Sequence, residues 1–147
     1  MEERRGEFLL TDDLSRMNLA TIHGWLSEEA YWAKGRSQED VTASLRQSHT
    51  YGVFRGDRQI AVARTITDGV TFAYLCDVFV EESSRNQLIG SWMLDRLLAD
   101  LREGKISQVL LATRDAHKFY LRSQFGFHPL TNPGRWLELN PTSETPI

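Results

Sequence analysis

The sequence is poor in cysteine and proline, has no excess of basic charge, and lacks a long apolar run. Its 147 residues include one cysteine and four prolines, and its 17 basic side chains are outnumbered by 20 acidic ones. The single cysteine, Cys76, excludes a disulfide framework and any metal site built from several cysteines. Without a basic excess, a nucleic-acid partner is not expected, because such partners are held through their phosphates. No apolar stretch approaches the roughly 20 residues of a membrane-spanning helix.

The length and composition predict one globular domain over residues 1–147. Apolar residues make up 41% and charged residues 25% of the chain, close to the average of globular domains. The last segment, NPTSETPI from Asn140 to Ile147, is polar with two prolines and predicts a flexible tail. The opening MEERRGEFLL has no signal-peptide pattern, and the lone cysteine suits a reducing compartment, so we expect a cytoplasmic protein.

The apolar periodicity predicts an α+β fold with a mixed sheet. A short edge strand and a helical stretch, with helix starts at Asn18, Ser27 and Ser37, precede an antiparallel meander. A long helix, a buried strand, a second helix and two short strands complete the chain. The main predicted elements are strands at Phe8–Leu10, Tyr51–Phe54, Ile60–Thr67, Val70–Val80, Gln108–Ala112, Phe127–Leu130 and Trp136–Leu139, and helices at Ile89–Arg102, before Gly104, and Ala116–Phe125.

The connection between the long strand and the long helix is the part of the sequence that indicates chemistry. The strand ends at Val80, and the helix opens near Ile89 after Arg85 and Asn86. A turn that opens into a helix presents backbone N–H groups and the positive end of the helix dipole, which favours an anion such as a pyrophosphate. Taken alone, the stretch also fits a plain strand–loop–helix connection, because Gly90 is its only glycine.

This stretch resembles the acyl-CoA-binding motif of the GNAT N-acetyltransferase superfamily. That motif reads Arg or Gln, two residues, Gly, one residue, then Gly or Ala, after a long strand and at a helix start. Arg85 matches its first position and Gly90 its last, while Leu88 stands where the middle glycine is expected. Asn86 tolerates the left-handed backbone that glycine adopts in many members.

The resemblance extends over most of the chain, from Phe8 to Leu139. Ala116, Tyr120 and Gly126-Phe127 match the superfamily's next helix, although Gly-Phe commonly follows the tyrosine two residues sooner. The segments WLSEEAYWAKGR, ARTITDGVTFAYLCDVFV and ATRDAH resemble a group of bacterial proteins in this superfamily. The resemblance implies a sheet that splays between its fourth and fifth strands and carries helices on both faces.

The resemblance also implies acetyl-CoA as the co-substrate, bound along the splayed strand and the helix-opening loop. Strand backbone would hydrogen-bond the pantetheine arm, and the loop would hold the pyrophosphate. His117 could touch the co-substrate or relay a proton, although it also fits a plain helix-surface residue. The residues expected to bind acetyl-CoA are Val78, Phe79, Val80, Arg85, Asn86, Gln87, Leu88, Ile89, Gly90, Ser91, Thr113 and His117.

Acetyl transfer to an amine needs a donor for the developing oxyanion and a proton for the departing thiolate. A strand N–H near Val78 would be the donor, and Tyr120 matches the superfamily's general-acid position. Without that match, Tyr120 would fit an aromatic residue that packs on a helix face beside Phe119. Asp77 is a candidate base or substrate anchor, because placing a carboxylate within an apolar strand costs free energy, and such a residue often has a function. The alternatives for Asp77 are a solvated carboxylate or one paired with an arginine such as Arg64. Cys76 is expected to be a packed residue, not a nucleophile.

The acceptor is expected to bind near Tyr31, Trp32 and Arg36, together with Asp77. The aromatic rings would form a flat wall and Arg36 would hold a carboxylate, unless the rings simply cover the sheet. The prediction is an acyltransferase that acts on a primary amine of a small molecule or peptide, with no metal; a homodimer is compatible with the superfamily. The alternative is a non-catalytic GNAT module that binds CoA as a sensor.

Overall fold

A computed structural model gives the structure of residues 1–142, which form two compact units. The first is Met1–Arg114 and the second begins at Asp115. The single domain expected over residues 1–147 stays a prediction. Asn140 to Thr142 of the expected tail belong to the second unit, and residues 143–147 lie outside the described residues.

The first unit is built on a six-stranded sheet whose strands lie in chain order. The first four pairings, from β1–β2 to β4–β5, are antiparallel, and β5 pairs with β6 in parallel. This mixed sheet, with helices beside it, confirms the predicted α+β class. The strands are β1 (Glu2–Arg5), β2 (Phe8–Thr11), β3 (His49–Arg55), β4 (Arg58–Thr67), β5 (Phe72–Val80) and β6 (Gln108–Leu110).

The edge strand β1 is a correction to the sequence analysis, which placed the edge at Phe8–Leu10. Glu2–Arg5 pairs with β2 through a turn at Gly6, whose φ of 56° is one that glycine adopts without strain. The sequence of β1, EERR, has no apolar alternation, so the pattern that reveals half-buried strands cannot find it. Charged side chains are what an exposed edge strand uses to avoid further pairing.

One face of the sheet is covered by the helical stretch between β2 and β3. It contains α1 (Leu19–Gly24), a π-helical turn (Trp25–Glu29) and α2 (Gln38–Arg46). The caps predicted at Asn18 and Ser37 are confirmed, because both side chains accept a hydrogen bond from a backbone N–H of the first turn. The helix start predicted at Ser27 is wrong. Its hydroxyl donates to the carbonyl of His23, and the helical backbone runs through it.

The apolar residues of this stretch form one core with the sheet. Trp25 stacks on Phe79 of β5 with ring centroids 5.4 Å apart. The burial of these side chains supplies the hydrophobic term that fixes the helices on the sheet. The core comprises Leu9, Met17, Ile22, Trp25, Leu26, Ala30, Ala33, Val41, Leu45, Phe54, Val62 and Phe79.

The long helix α3 (Ile89–Glu103) packs on the other face. The hydroxyl of Tyr51 on β3 donates to the carboxylate of Asp100 at 2.7 Å, and the indole of Trp92 donates to Glu3 of β1. Helices on both faces are therefore confirmed. The helix ends at Gly104 as predicted, although the left-handed residue is the following Lys105, with φ of 60°.

The last two strands of the sheet separate after a short pairing. Their register runs only from Phe72–Gln108 to Tyr74–Leu110, and β6 ends at Leu110, not at Ala112. Within the described residues, Leu75–Val80 of β5 therefore lack a partner on that side. This opening lies where the sequence analysis expected the sheet to splay.

The second unit departs most from the predicted elements. The helix expected over Ala116–Phe125 is one turn, α4 (His117–Tyr120), and Gly126 has a positive φ of 83°. The strands expected at Phe127–Leu130 and Trp136–Leu139 are not formed in the part of the chain that the structure describes, where a 3₁₀ turn (Pro133–Arg135) lies between them. Among residues 1–142, no helix is long and apolar enough to cross a membrane.

Gly52 on β3 provides a test of this packing. A Cβ built there would lie 2.6 Å from the sulfur of Met17 and 3.0 Å from Nε2 of Gln59. Gly52→Ala should lower the free energy of unfolding by about 1–3 kcal/mol, because these side chains must move. The helical Gly24 has nothing within 4 Å of such a Cβ, so Gly24→Ala should leave stability unchanged or raise it. Equal urea midpoints for the two variants would contradict this packing.

Candidate functional site

The centre of β5 contains a β-bulge at Asp77 and Val78. On the neighbouring strand, Arg64 pairs with Cys76 and Val62 pairs with Phe79, so one residue of β4 opposes two of β5. Asp77 has a φ of 51°, within the left-handed region that non-glycine residues rarely adopt. A bulge takes a residue out of the regular ladder and is often placed beside a functional site.

The side chain of Asp77 is buried, and both of its carboxylate oxygens accept hydrogen bonds. Its Oδ2 accepts from Nε of Arg64 at 2.6 Å and from Nη1 of Arg36 at 2.9 Å. Its Oδ1 accepts from the indole N–H of Trp32 at 2.8 Å. These three donors come from the loop after the π-helical turn and from β4, so one carboxylate joins the loop to two strands. We call Asp77, Arg64, Arg36 and Trp32 the Asp77 cluster.

The cluster determines the protonation state of Asp77. Burial alone would raise the pKa of this carboxyl, but the hydrogen bond and charge of Arg64, with Arg36 and Trp32, outweigh burial and hold the pKa below its usual value. The pairing with Arg64, one of the alternatives open from the sequence, is what the structure shows. A carboxylate with a lowered pKa takes up a proton poorly at neutral pH, which weighs against Asp77 as the base.

The lone cysteine lies beside the bulge but is not activated. Burial raises the pKa of the Cys76 thiol to about 11; Arg64 opposes this rise and Asp77 adds to it. The side chain is half-buried and carries its proton at neutral pH. Since the thiolate is the nucleophilic form, this environment fits the packed residue expected from the sequence.

The loop from Val80 to α3 has the form that an anion site needs. Asn86 and Leu88 have positive φ values of 66° and 62°. The side chain of Leu88 is 73% exposed, so it points outward while its backbone takes the conformation expected of glycine. Leu88 is also the N-cap of the 15-residue α3 and offers no side-chain cap. The first N–H groups of a helix have no acceptor within it and carry the positive end of its dipole.

Arg85 folds back over this loop. Its Nε donates to the carbonyl of Val80 at 2.9 Å, and its guanidinium lies 5.3 Å from the ring centroid of Phe79. The Gln87 side chain accepts from Arg55 at 3.2 Å. A 3₁₀ turn (Glu82–Ser84) follows β5, Arg85 to Leu88 connect it to α3, and Ile89, Gly90 and Ser91 form the first turn of that helix.

The expected acceptor residues lie together on the loop before α2. Tyr31 and Trp32 form an edge-to-face pair with centroids 5.1 Å apart, and Trp32 remains 42% exposed. The Tyr31 hydroxyl accepts from the backbone N–H of Arg114 at 2.7 Å, and the Arg114 guanidinium lies 3.7 Å from the Tyr31 ring. Sequence reasoning missed Arg114, because 83 residues separate the two and no spacing rule relates them.

The remaining expected residues are less informative. Thr113 is half-buried after β6. In the second unit, the ring of Tyr120 contacts the ring of Phe119 on α4 and the ring of Phe127 after the helix. His117 is exposed. Among residues 1–142, no three His, Cys, Asp or Glu side chains are arranged to hold a metal ion.

Comparison with known proteins assigns the family. The family model described as the acetyltransferase (GNAT) family matches residues 19–127. The chain belongs to the GNAT acetyltransferase family. It is accordingly a GNAT-type acyltransferase, as the resemblance implied. A candidate acetyltransferase of Gibberella zeae is 29% identical over 132 residues, which span 76% of this chain and 74% of that protein.

Solved structures share this GNAT fold. A candidate GNAT acetyltransferase from Xanthomonas campestris pv. campestris has 33% sequence identity and a TM-score of 0.86, covering 93% of this chain and 95% of that chain. An acetyltransferase from Clostridium acetobutylicum, described with acetyl-CoA, has 21% identity and a TM-score of 0.65, covering 95% and 96%. At that identity, the second comparison shows the fold alone.

The Asp77 cluster can be tested through stability. Asp77→Asn should lower the free energy of unfolding by about 3–5 kcal/mol at pH 7, because it leaves two arginines without their buried counter-charge. The pKa of Asp77 in the folded protein lies below its unfolded value of 3.8. The difference in free energy of unfolding between the variant and the parent protein should therefore be largest above pH 3.8. It should disappear as the pH falls through the folded-state pKa.

The control for that experiment is Asp57→Asn, which removes a carboxylate from an exposed turn. It should change stability by less than about 0.5 kcal/mol. Urea titrations at several pH values measure both variants. Equal stability of Asp77→Asn and Asp57→Asn at pH 7 would contradict the role of the cluster.

The left-handed backbone at Leu88 gives a second prediction. Leu88→Gly should raise the free energy of unfolding by about 0.5–1 kcal/mol, because relief of the positive φ exceeds the entropy cost of glycine. Leu88→Ala keeps the backbone strain and should give no gain. If alanine stabilised the protein as much as glycine in thermal unfolding, the effect would come from the exposed side chain and not from φ.

Proposed function

We propose that this GNAT enzyme transfers the acetyl group of acetyl-CoA to a primary amine of a small molecule or peptide by direct attack. The observation that carries the proposal is that β5 joins two features, the bulge at Asp77–Val78 and the helix-opening loop Arg85–Ser91. An acyl thioester attached to a pyrophosphate needs both a carbonyl-binding donor and an anion site.

The helix-opening loop suits the pyrophosphate. Asn86 and Leu88 have the left-handed backbone that occurs in anion-binding turns, and α3 adds its dipole. The outward side chain of Leu88 leaves the backbone accessible. A leucine in place of the motif's glycine would favour the alternative, a non-catalytic CoA-binding module, if its side chain covered the loop; the exposed side chain supports catalysis instead.

The bulged strand suits the acyl group. The unpaired side of β5 beyond Tyr74 offers backbone to the pantetheine arm, at Val78, Phe79 and Val80. We assign the backbone N–H of Val78 to the acyl carbonyl oxygen, where it would stabilise the charge that develops in the transition state. Asp77 is then a positioning residue, since it holds the bulge and carries no proton.

The chemical step needs one proton in and one proton out. The neutral amine forms the C–N bond as the C–S bond breaks, the thiolate takes a proton from the Tyr120 hydroxyl, and the amine nitrogen loses its extra proton to water. Tyr120 takes this role from its match to the family's general-acid position, because a phenol with a pKa of about 10 can donate to a departing thiolate. A cytoplasmic location and a homodimer stay predictions from the sequence.

The general-acid role predicts a selective kinetic defect. Tyr120→Phe should lower kcat by about 10²–10⁴-fold, since the thiolate then leaves without a positioned proton donor. The affinity for acetyl-CoA, measured by calorimetry at low salt, should stay within about threefold, because the hydroxyl acts in the transition state and not in binding. Thiol release against a panel of amines gives kcat.

Two outcomes would contradict these assignments separately. An unchanged kcat in Tyr120→Phe would remove the general-acid role of this residue. An absence of acetyl-CoA binding by the parent protein would contradict the proposed function itself.

A further inference from the structure

We propose that the amine acceptor carries a carboxylate group, which binds Arg36 at the exposed side of the Asp77 cluster. This inference rests on the proposed acetyl transfer and adds the chemical class of the acceptor to it.

The Asp77 cluster holds one more positive charge than negative charge. Arg36 and Arg64 both bind the single carboxylate of Asp77. Among residues 1–142, neither arginine forms an ion pair with another acidic side chain. The nearby Glu28 and Glu29 on the π-helical turn are exposed and pair with neither. A partly buried positive charge without a counter-charge favours an anion from solution.

Arg36 is the member of the cluster that can reach such an anion. Its side chain is 26% exposed, whereas that of Arg64 is 10% exposed. The contact with Asp77 uses Nη1 only, and a guanidinium has five N–H donors in a planar fork. The donors that remain match the two oxygens of a carboxylate, which is the geometry of strong arginine–carboxylate pairs.

The backbone around Arg36 is held in place before any ligand binds. Its N–H donates to the carbonyl of Ala33 at 3.1 Å, and its own carbonyl lies 3.0 Å from Nε2 of His23. The side chain is held by Asp77, which is 3% exposed. Such preorganisation reduces the entropy lost on binding, so the remaining donors are available without reordering the loop.

The position of Arg36 bears on how the carboxylate and the amine of one acceptor would bind. Asp77 is adjacent in the chain to Val78, the residue assigned to the acyl carbonyl, and consecutive Cα atoms lie about 3.8 Å apart. Through the Asp77 carboxylate, Arg36 is linked to the strand that carries the assigned acyl-transfer point. The exposed ring of Trp32, bonded to the same carboxylate, lies beside it and can cover the carbon chain between the two groups. An amino acid, which carries both an amine and a carboxylate, fits this arrangement.

The test compares amino acids with their amides as acceptors. The parent protein should show higher kcat/KM for the acids, measured as thiol release with saturating acetyl-CoA. Arg36→Gln should lower kcat/KM for the acids about 10-fold or more beyond any loss that it causes with the amides, because only the acids lose a charge-assisted contact. The ratio of the two effects cancels differences in amine basicity. Arg36→Lys, which keeps the charge, should retain part of the preference.

Lys34→Gln is the matched control, because it removes one positive charge from an exposed position two residues away. It should leave the acid-to-amide ratio unchanged. Folding of every variant is checked by urea titration. This inference would be overturned if the parent protein used amides as well as acids and Arg36→Gln left the acid-to-amide ratio of kcat/KM unchanged. That result would not contradict the proposed acetyl transfer. No turnover with any amine would contradict the proposed function and this inference with it.

Discussion

The structure around the candidate site depends on one buried carboxylate. Asp77 occupies a left-handed backbone position within a strand, which costs about 1–3 kcal/mol and persists only where the surroundings enforce it. Two arginines and an indole N–H do so, and they come from separate parts of the chain. Two of these three bonds, those from Trp32 and Arg36, also fix the loop that carries Tyr31 and Trp32. The conformation of β5 and the position of the expected acceptor loop therefore depend on the same carboxylate.

Strand β5 links this cluster to the rest of the machinery. It is bulged in its middle, unpaired on one side beyond Tyr74, and followed by the turn that opens α3. The core under Trp25 and Phe79 holds the strand from one face, and α3 packs on the other. A rigid strand between two packed layers can hold a backbone donor and an anion-binding turn at a constant spacing, which is what transition-state stabilisation requires.

The parts of the fold that follow apolar periodicity were predictable from the sequence, as were the caps at Asn18 and Ser37. The charged β1 was missed because it has no alternation of apolar residues, and the helix predicted over Ala116–Phe125 was too long, since only His117–Tyr120 forms α4. At the site, the motif located Arg85 to Ser91, and the strained backbone at Leu88 was hidden because leucine normally avoids it. The partner of Asp77 was one of several possibilities until tertiary contacts brought Arg64 and Arg36 together. Pairings between residues 13 and 41 positions apart leave no mark in local sequence.

The central claim is that the bulge of β5 and the turn before α3 bind one molecule of acetyl-CoA. Titration of acetyl-CoA into isotopically labelled protein, followed through backbone amide shifts, tests it most directly. The account predicts saturable shifts of the Val78 amide and of the amides from Asn86 to Ser91, with one shared dissociation constant. It would be contradicted if these amides stayed unchanged at millimolar acetyl-CoA, or if the shifts clustered on another surface of the protein.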